Sequence, residues 1–353
     1  HPVEPVRAAS RHVPLVLACA LFAVSASPQE ALAQAACQPP DGLSTCIASD
    51  NLWTHPGGGR WFSLMPTATA EAGSLSLGVT PTYYHRPIGL TVSSADPDGT
   101  TIYAVENVVA TTFTMGLGLT DQLQLNMAAP AIMYQRGASK ADVVGSEVAL
   151  PRAAMGDLRF GVTYAILPRV FERDGLGLAA RFEIAAPSGN DQAFSGFGSA
   201  TYAPGAALDH RIGDLSLGLD VGARLRRAST LATTTIGHQL ALAAGAGYDV
   251  LEDGWLSVNL ESWALVGLAG AQRRLVRDGA TVTTEDGPLH IPIEWLLSVR
   301  TAGLVDGRLR ASLGGGSFIP TSSELAATTP AFRFVLGLHY ATDAFYATDE
   351  DDD

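Results

Sequence analysis

Arginines and carboxylates are the residues in this chain best placed to do chemistry, and they recur on alternate positions within strand-like runs. Arg159, Arg181, Glu183, Asp220, Arg224, Glu261, Glu294, Arg300, Arg310 and Arg333 all fall on the more polar parity of their segments. Groups of this kind on one face of a sheet either pair into a fixed charge network or line a watery passage. A guanidinium forks onto carboxylates and phosphates, so an excess of arginine favours anions. Adding Arg226 and Arg308 gives eight cations against four acids, Glu183, Asp220, Glu261 and Glu294. If the face lines a channel, this surplus predicts weak anion preference at low salt. If the arginines brace the wall by pairing with the acids, it predicts none.

Other chemistry is not written here. Gly-x-Ser-x-Gly, His-Glu-x-x-His and Cys-x-x-Cys do not occur. "DPDG" (96–99) lacks the third acidic position and distal Glu of a calcium loop. The "GGG" runs at 57–59 and 314–316 lack the lysine and helix of a phosphate loop. His85, His210, His238, His290 and His339 are scattered, and the Ser262–His238 pair that a barrel lipase would need falls at opposite ends of two segments. The expectation is a protein that is not an enzyme, with no catalytic residue, metal site or cofactor. Cys37 and Cys46, nine positions apart in an exported chain, are expected to form a disulfide.

The elements that position these charges read as strands. In "LGLTDQLQLNMAAPAIMYQ" (117–135), Leu117, Leu119, Leu123, Leu125 and Met127 alternate with polar or small residues around the break at 120–122. Twelve such apolar rows follow one another, from Leu75–Tyr83, through Val109–Leu119, to Phe332–Tyr340. Short turns (120–122, 168–175, 210–214, 251–254, 302–307) alternate with mostly longer connections (87–104, 137–154, 268–289, 316–329). Even strand number, strands long enough to cross hydrocarbon and turns alternating with loops predict a closed, antiparallel, up-and-down transmembrane β-barrel, all-β, of about 12 strands. Its termini are expected in the periplasm.

Composition separates lipid from core. Of 353 residues 47% are hydrophobic, yet only 16% are charged and Lys140 is the single lysine. The polar parity is rich in Gly, Ala, Ser and Thr, whereas a soluble surface carries many Lys and Glu. The apolar rows are therefore expected to face lipid, with a secreted soluble β-protein as the lesser alternative. A net charge of −13 excludes a nucleic-acid partner. Arg7 and Arg11 before "VPLVLACALFAVSA" and "ALAQ" read as a secretory signal over 1–33. A periplasmic segment is expected over 34–73, the barrel over 74–341 and an acidic periplasmic tail over 342–353. Whether 37–72 lies under the barrel, enters it or hangs free is open.

"AMGDLRFGVTYAIL" (154–167), "GLAARFEIAAPSGND" (177–191) and "PGAALDHRIGDLSLGLDVGARLR" (204–226) resemble the barrel domains of OmpA-like and transporter-like outer-membrane proteins of myxobacteria and relatives. "CIASDNLWTHPGGGRWFSL" (46–64) is similar to the segment before the barrel there. The resemblance implies a bacterial outer-membrane location with lipid as partner. One implied function is a porin-like channel or uptake barrel for small solutes. The other is a structural barrel with a plugged lumen, gripping peptidoglycan only through a C-terminal domain that these residues do not include.

Overall fold

The computed structural model describes residues 37, 44–92, 100–138, 149–168, 174–231, 234–251, 254–268, 273–278, 281–286, 291–320 and 328–342. The signal sequence read over 1–33, the DPDG turn and the acidic tail from 343 onward lie outside them. Twelve strands build the wall: β1 Leu75–Val92, β2 Thr100–Thr120, β3 Leu123–Arg136, β4 Arg159–Leu167, β5 Gly175–Ala185 and β6 Thr201–Ile212, then β7 Leu215–Arg224, β8 Gln239–Asp249, β9 Leu256–Gly267, β10 Ile293–Thr301, β11 Leu309–Phe318 and β12 Phe332–Ala341. Each pairs antiparallel with its neighbours in sequence, and β1 pairs with β12 from Ser76↔Ala341 to His85↔Phe332. The sheet is closed. Among the described residues, none of the twelve wall strands is a free edge of the sheet, whose open backbone donors lipid could not satisfy.

The burial pattern inverts that of a soluble barrel. Along β7 exposed and buried residues alternate strictly as far as Gly222: Leu217, Leu219 and Val221 face out, while Ser216, Asp220 and Arg224 are buried. Phe160 and Tyr164 on β4, Leu297 on β10 and Phe334 on β12 are exposed likewise. Burying a Leu or Phe side chain stabilises by roughly 1.5–3 kcal/mol, so a ring of them left in water would forgo a large stabilisation. Lipid removes that cost. Among the described residues no helix is long and apolar enough to cross a membrane; the crossing is made by strands.

Two departures from the sequence pattern concern the long-loop rim. The connection expected over 87–104 is partly strand, because β1 and β2 continue beyond the apolar belt as a hairpin paired to Val92↔Thr100. Bulges between His85 and Gly89 break the period-two alternation there, which hides the extension from sequence. The second departure is in β3, whose pairing to β4 stops at Ala128↔Arg159. Pro130 has no N–H to give; its carbonyl accepts from Gly156 at 2.8 Å, and the pair Ala154–Met155 bonds Ala131 and Ile132 to carry the wall upward.

Candidate functional site

The buried faces of the strands enclose a lumen, and the chain's own N-terminal segment runs through it. At the long-loop rim Ser44 N–H donates to Thr230 O at 2.9 Å, and Ile47 packs among Tyr84, Ile88, Val105 and Phe194. At the short-turn rim Ala70 N–H donates to Gln124 Oε1 at 2.7 Å and Gly73 N–H to Gly118 O at 2.8 Å. Between these points residues 44–73 form an irregular strap. Of the three placements left open for 37–72, the described part enters the barrel and runs from the long-loop rim to the short-turn rim. Period-two reasoning could not see this, because the strap makes no ladder and many of its partners lie more than a hundred residues away along the wall. Cys37 and Cys46 are disulfide-bonded at the strap's upper end, against Gly198.

The four lumen acids all have partners, most of them supplied by the strap. Glu261 on β9 accepts from Phe62 N–H, from Ser63 N–H at 2.7 Å and from Ser63 Oγ at 2.6 Å. Asp220 on β7 takes Met65 N–H at 3.0 Å together with both ends of the Arg181 guanidinium. Glu183 on β5 lies 3.2 Å from His55 Nδ1 and 3.7 Å from Arg159 Nη1. Glu294 on β10 pairs with Arg333 at 3.0 Å, and Arg333 also reaches strap residue Asp50 at 2.8 Å. Charges buried in a lumen stay only when paired and hydrogen-bonded.

The arginines divide by partner. Arg159 donates to Thr54 O at 2.8 Å and Arg224 to Asn51 O at 3.1 Å, and both guanidinium groups lie over the Trp53 ring, at 4.7 and 4.1 Å from its centroid. Arg226 bonds Gln239 and stacks 3.5 Å over Phe197. Arg300 donates to Gly58 O, and Arg310 stands against the same glycine. Arg308 belongs to the short turn before β11, where its N–H donates to Val305 O. The ten candidate charges are thus gathered into one lumen, and at least nine of them bond to each other or to the strap directly. Sequence reasoning missed the strap's own contributors: Asp50, Trp53, His55, Arg60 and the backbone of Phe62, Ser63 and Met65. It also missed Asp249, which holds Arg60 at 2.6 Å and Arg211 at 2.8 Å. The one sequence signal for them is the density of aromatic and charged residues in "WTHPGGGRWF" (53–62), unusual for a free linker.

The lipase-like pair is not formed: Ser262 Oγ donates to Glu294 O, and His238 Nδ1 accepts from Arg226 N–H.

No family model matches the chain, and no curated protein does. Among solved structures it is similar to an outer-membrane channel from Pseudomonas putida F1, with a TM-score of 0.52 at 14% identity over 79% of this chain and 100% of that one. The KdgM and NanC porins superpose with TM-scores of 0.41, at 10% and 7% identity over 75% of this chain and 98% of each of theirs. At such identities the first likeness shows the fold, and the porins add no further weight. The narrower resemblance to OmpA-like proteins of myxobacteria finds no counterpart in these comparisons. The fold is that of an outer-membrane β-barrel. With a closed wall, an apolar exterior and a polar lumen, the chain stands in the bacterial outer membrane.

Proposed function

We propose that this chain is a porin-like barrel that passes small solutes through the spaces its own strap leaves in the lumen. The observation that carries this reading is incomplete filling: small cavities of about 80, 30 and 50 Å³ lie between strap and wall. The first lies toward the long-loop rim beside Trp53, Tyr84 and Phe194, and the third toward the short-turn rim beside Gly57, Arg300 and Arg310. Long loops of such barrels face outward and short turns face the periplasm, so the spaces follow a transport axis. The division into a signal over 1–33, a lumen segment within 34–73, a barrel over 74–341 and an acidic end belongs to the same proposal.

A second reading, a structural barrel closed by its plug, is favoured by one observation. Glu183, Asp220 and Glu261 each hold the strap directly, as a fixed plug requires. Conductance in a planar bilayer separates the two readings. The porin reading expects small, steady currents from the full chain that rise when Glu261→Gln loosens the strap. Silence from both proteins, each shown to be folded, supports the structural reading.

A further inference from the structure

We propose that the outer face of the wall at the long-loop rim, across β1, β2 and β3, docks a multiply phosphorylated lipid headgroup of the outer leaflet. Strand pairing sets Phe334, Tyr83, Val109 and Tyr134 side by side there, and two residues higher Phe332, His85, Asn107 and Arg136. Phe334 and Tyr134 are exposed, and the Phe332 ring lies 5.0 Å from His85 and 5.8 Å from Tyr83 and from Phe334. Aromatic rings placed in this way mark the border between hydrocarbon and headgroups. The height agrees. From Leu123 to Tyr134, β3 runs roughly 37 Å along its axis, or about 26 Å upward at a tilt of about 45°, close to the height of an apolar band. Arg136 therefore stands at headgroup level.

Three arginines meet at that level. Arg136 keeps 63% of its side chain exposed and Arg86 42%. Arg152 is exposed beside them, its carbonyl accepting from Gln135 N–H at 2.7 Å. Among the described residues the one carboxylate paired with them is Glu106, 3.7 Å from Arg86 and 3.9 Å from Arg136. Exposed contacts of that length stabilise little and yield to a more highly charged partner. Neutral and aromatic groups do the orienting. Asn107 turns its amide oxygen to Arg136, accepting from Nε at 3.0 Å and Nη2 at 3.2 Å, and its amide nitrogen donates to Tyr83 Oη at 2.7 Å and His85 Nδ1 at 2.9 Å. Arg86 lies 4.4 Å over the Tyr103 ring, with φ at 53°, a backbone conformation that a long side chain rarely adopts. Both guanidinium groups are posed without being neutralised by what poses them. From Arg86 on β1 to Arg152 beyond β3 is three strand spacings, roughly 14 Å. One phosphate cannot bridge that width, whereas a headgroup carrying two can. Guanidinium forks suit phosphate oxygens, and cationic clusters at a membrane border hold anionic headgroups.

The inference concerns the outer wall and stands apart from whether the lumen conducts. The test is titration of the folded full chain, in detergent micelles, into fluorescent lipid A, a glucosamine lipid with two phosphates, and into the same lipid with both phosphates removed. The phosphorylated lipid is expected to bind about tenfold more tightly. Arg136→Gln and Arg152→Gln together should erase most of that difference. Arg227→Gln, an exposed change beyond β7 on the opposite side of the barrel, should leave it intact. Glu106→Gln gives an independent sign: with the competing carboxylate gone, binding should tighten about twofold. These side chains stand at least partly exposed, so the variants should fold as the native chain does. Equal binding of the two lipids overturns the proposal, as does full preference in the double variant or weaker binding in Glu106→Gln. Displacement of the lipid by millimolar inorganic phosphate overturns it too, in favour of a site for the free anion.

Discussion

Two sides of the lumen treat the strap in opposite ways. On β5, β7, β9 and β10 the carboxylates Glu183, Asp220, Glu261 and Glu294 are matched by arginines, by His55 or by strap N–H groups. Near the short-turn rim, Arg300, Arg310 and the strap's Arg60 face a cavity with no carboxylate in its lining. The acidic side anchors and the basic side leaves room. A plug held mainly from the acidic side, with Arg300 on Gly58 and Arg60 on Asp249 opposite, can keep a fixed position and still leave small spaces beside it.

The largest effects should come from cutting the anchoring side. Arg333, fully buried between Glu294 and Asp50, and Arg181, forked onto Asp220, each neutralise a buried acid. Removing one partner of such a pair costs about 3–5 kcal/mol. Arg333→Gln and Arg181→Ser should therefore lower the denaturant midpoint of the barrel in micelles sharply. Glu261→Gln comes next: it keeps an acceptor but loses the charge that holds Phe62 and Ser63, at about 1–3 kcal/mol. Strap release should show as proteolysis within 57–65 that the native barrel resists. Arg136→Ser, at the exposed rim where the arginine lies 3.9 Å from Glu106, should change stability by less than about 1 kcal/mol. If Arg136→Ser and Arg181→Ser destabilise equally, the weight given to the anchoring charges is wrong.

The wall was legible because its rule is local. Leu215, Leu217, Leu219 and Val221 alternate with Ser216, Gly218 and Asp220, and no distant residue is needed to see the strand. The polar parity likewise identified Arg181, Glu183, Asp220 and Arg333 as inward residues. Their partners were not legible, since Asp50 meets Arg333 across 283 positions and Ser63 meets Glu261 across 198. The strap has no period because it makes no ladder; its hydrogen bonds go one at a time to whichever wall group lies beside it. Arginines with quite different surroundings also look alike in sequence. Arg181 and Arg310 share one parity pattern, yet one is forked onto an acid and the other stands against a glycine beside a cavity.

The central claim is that residues 44–73 thread the barrel, and one cross-link tests it most directly. Met65 Sδ on the strap lies 3.6 Å from Thr163 Oγ1 on β4, where the wall faces the lumen. Cysteines placed together as Met65→Cys and Thr163→Cys, beside the existing Cys37–Cys46 bond, should join on oxidation of the folded protein and appear as one linked peptide pair by mass spectrometry. Two free thiols, both labelled readily in the folded barrel, would contradict a strap seated in the lumen.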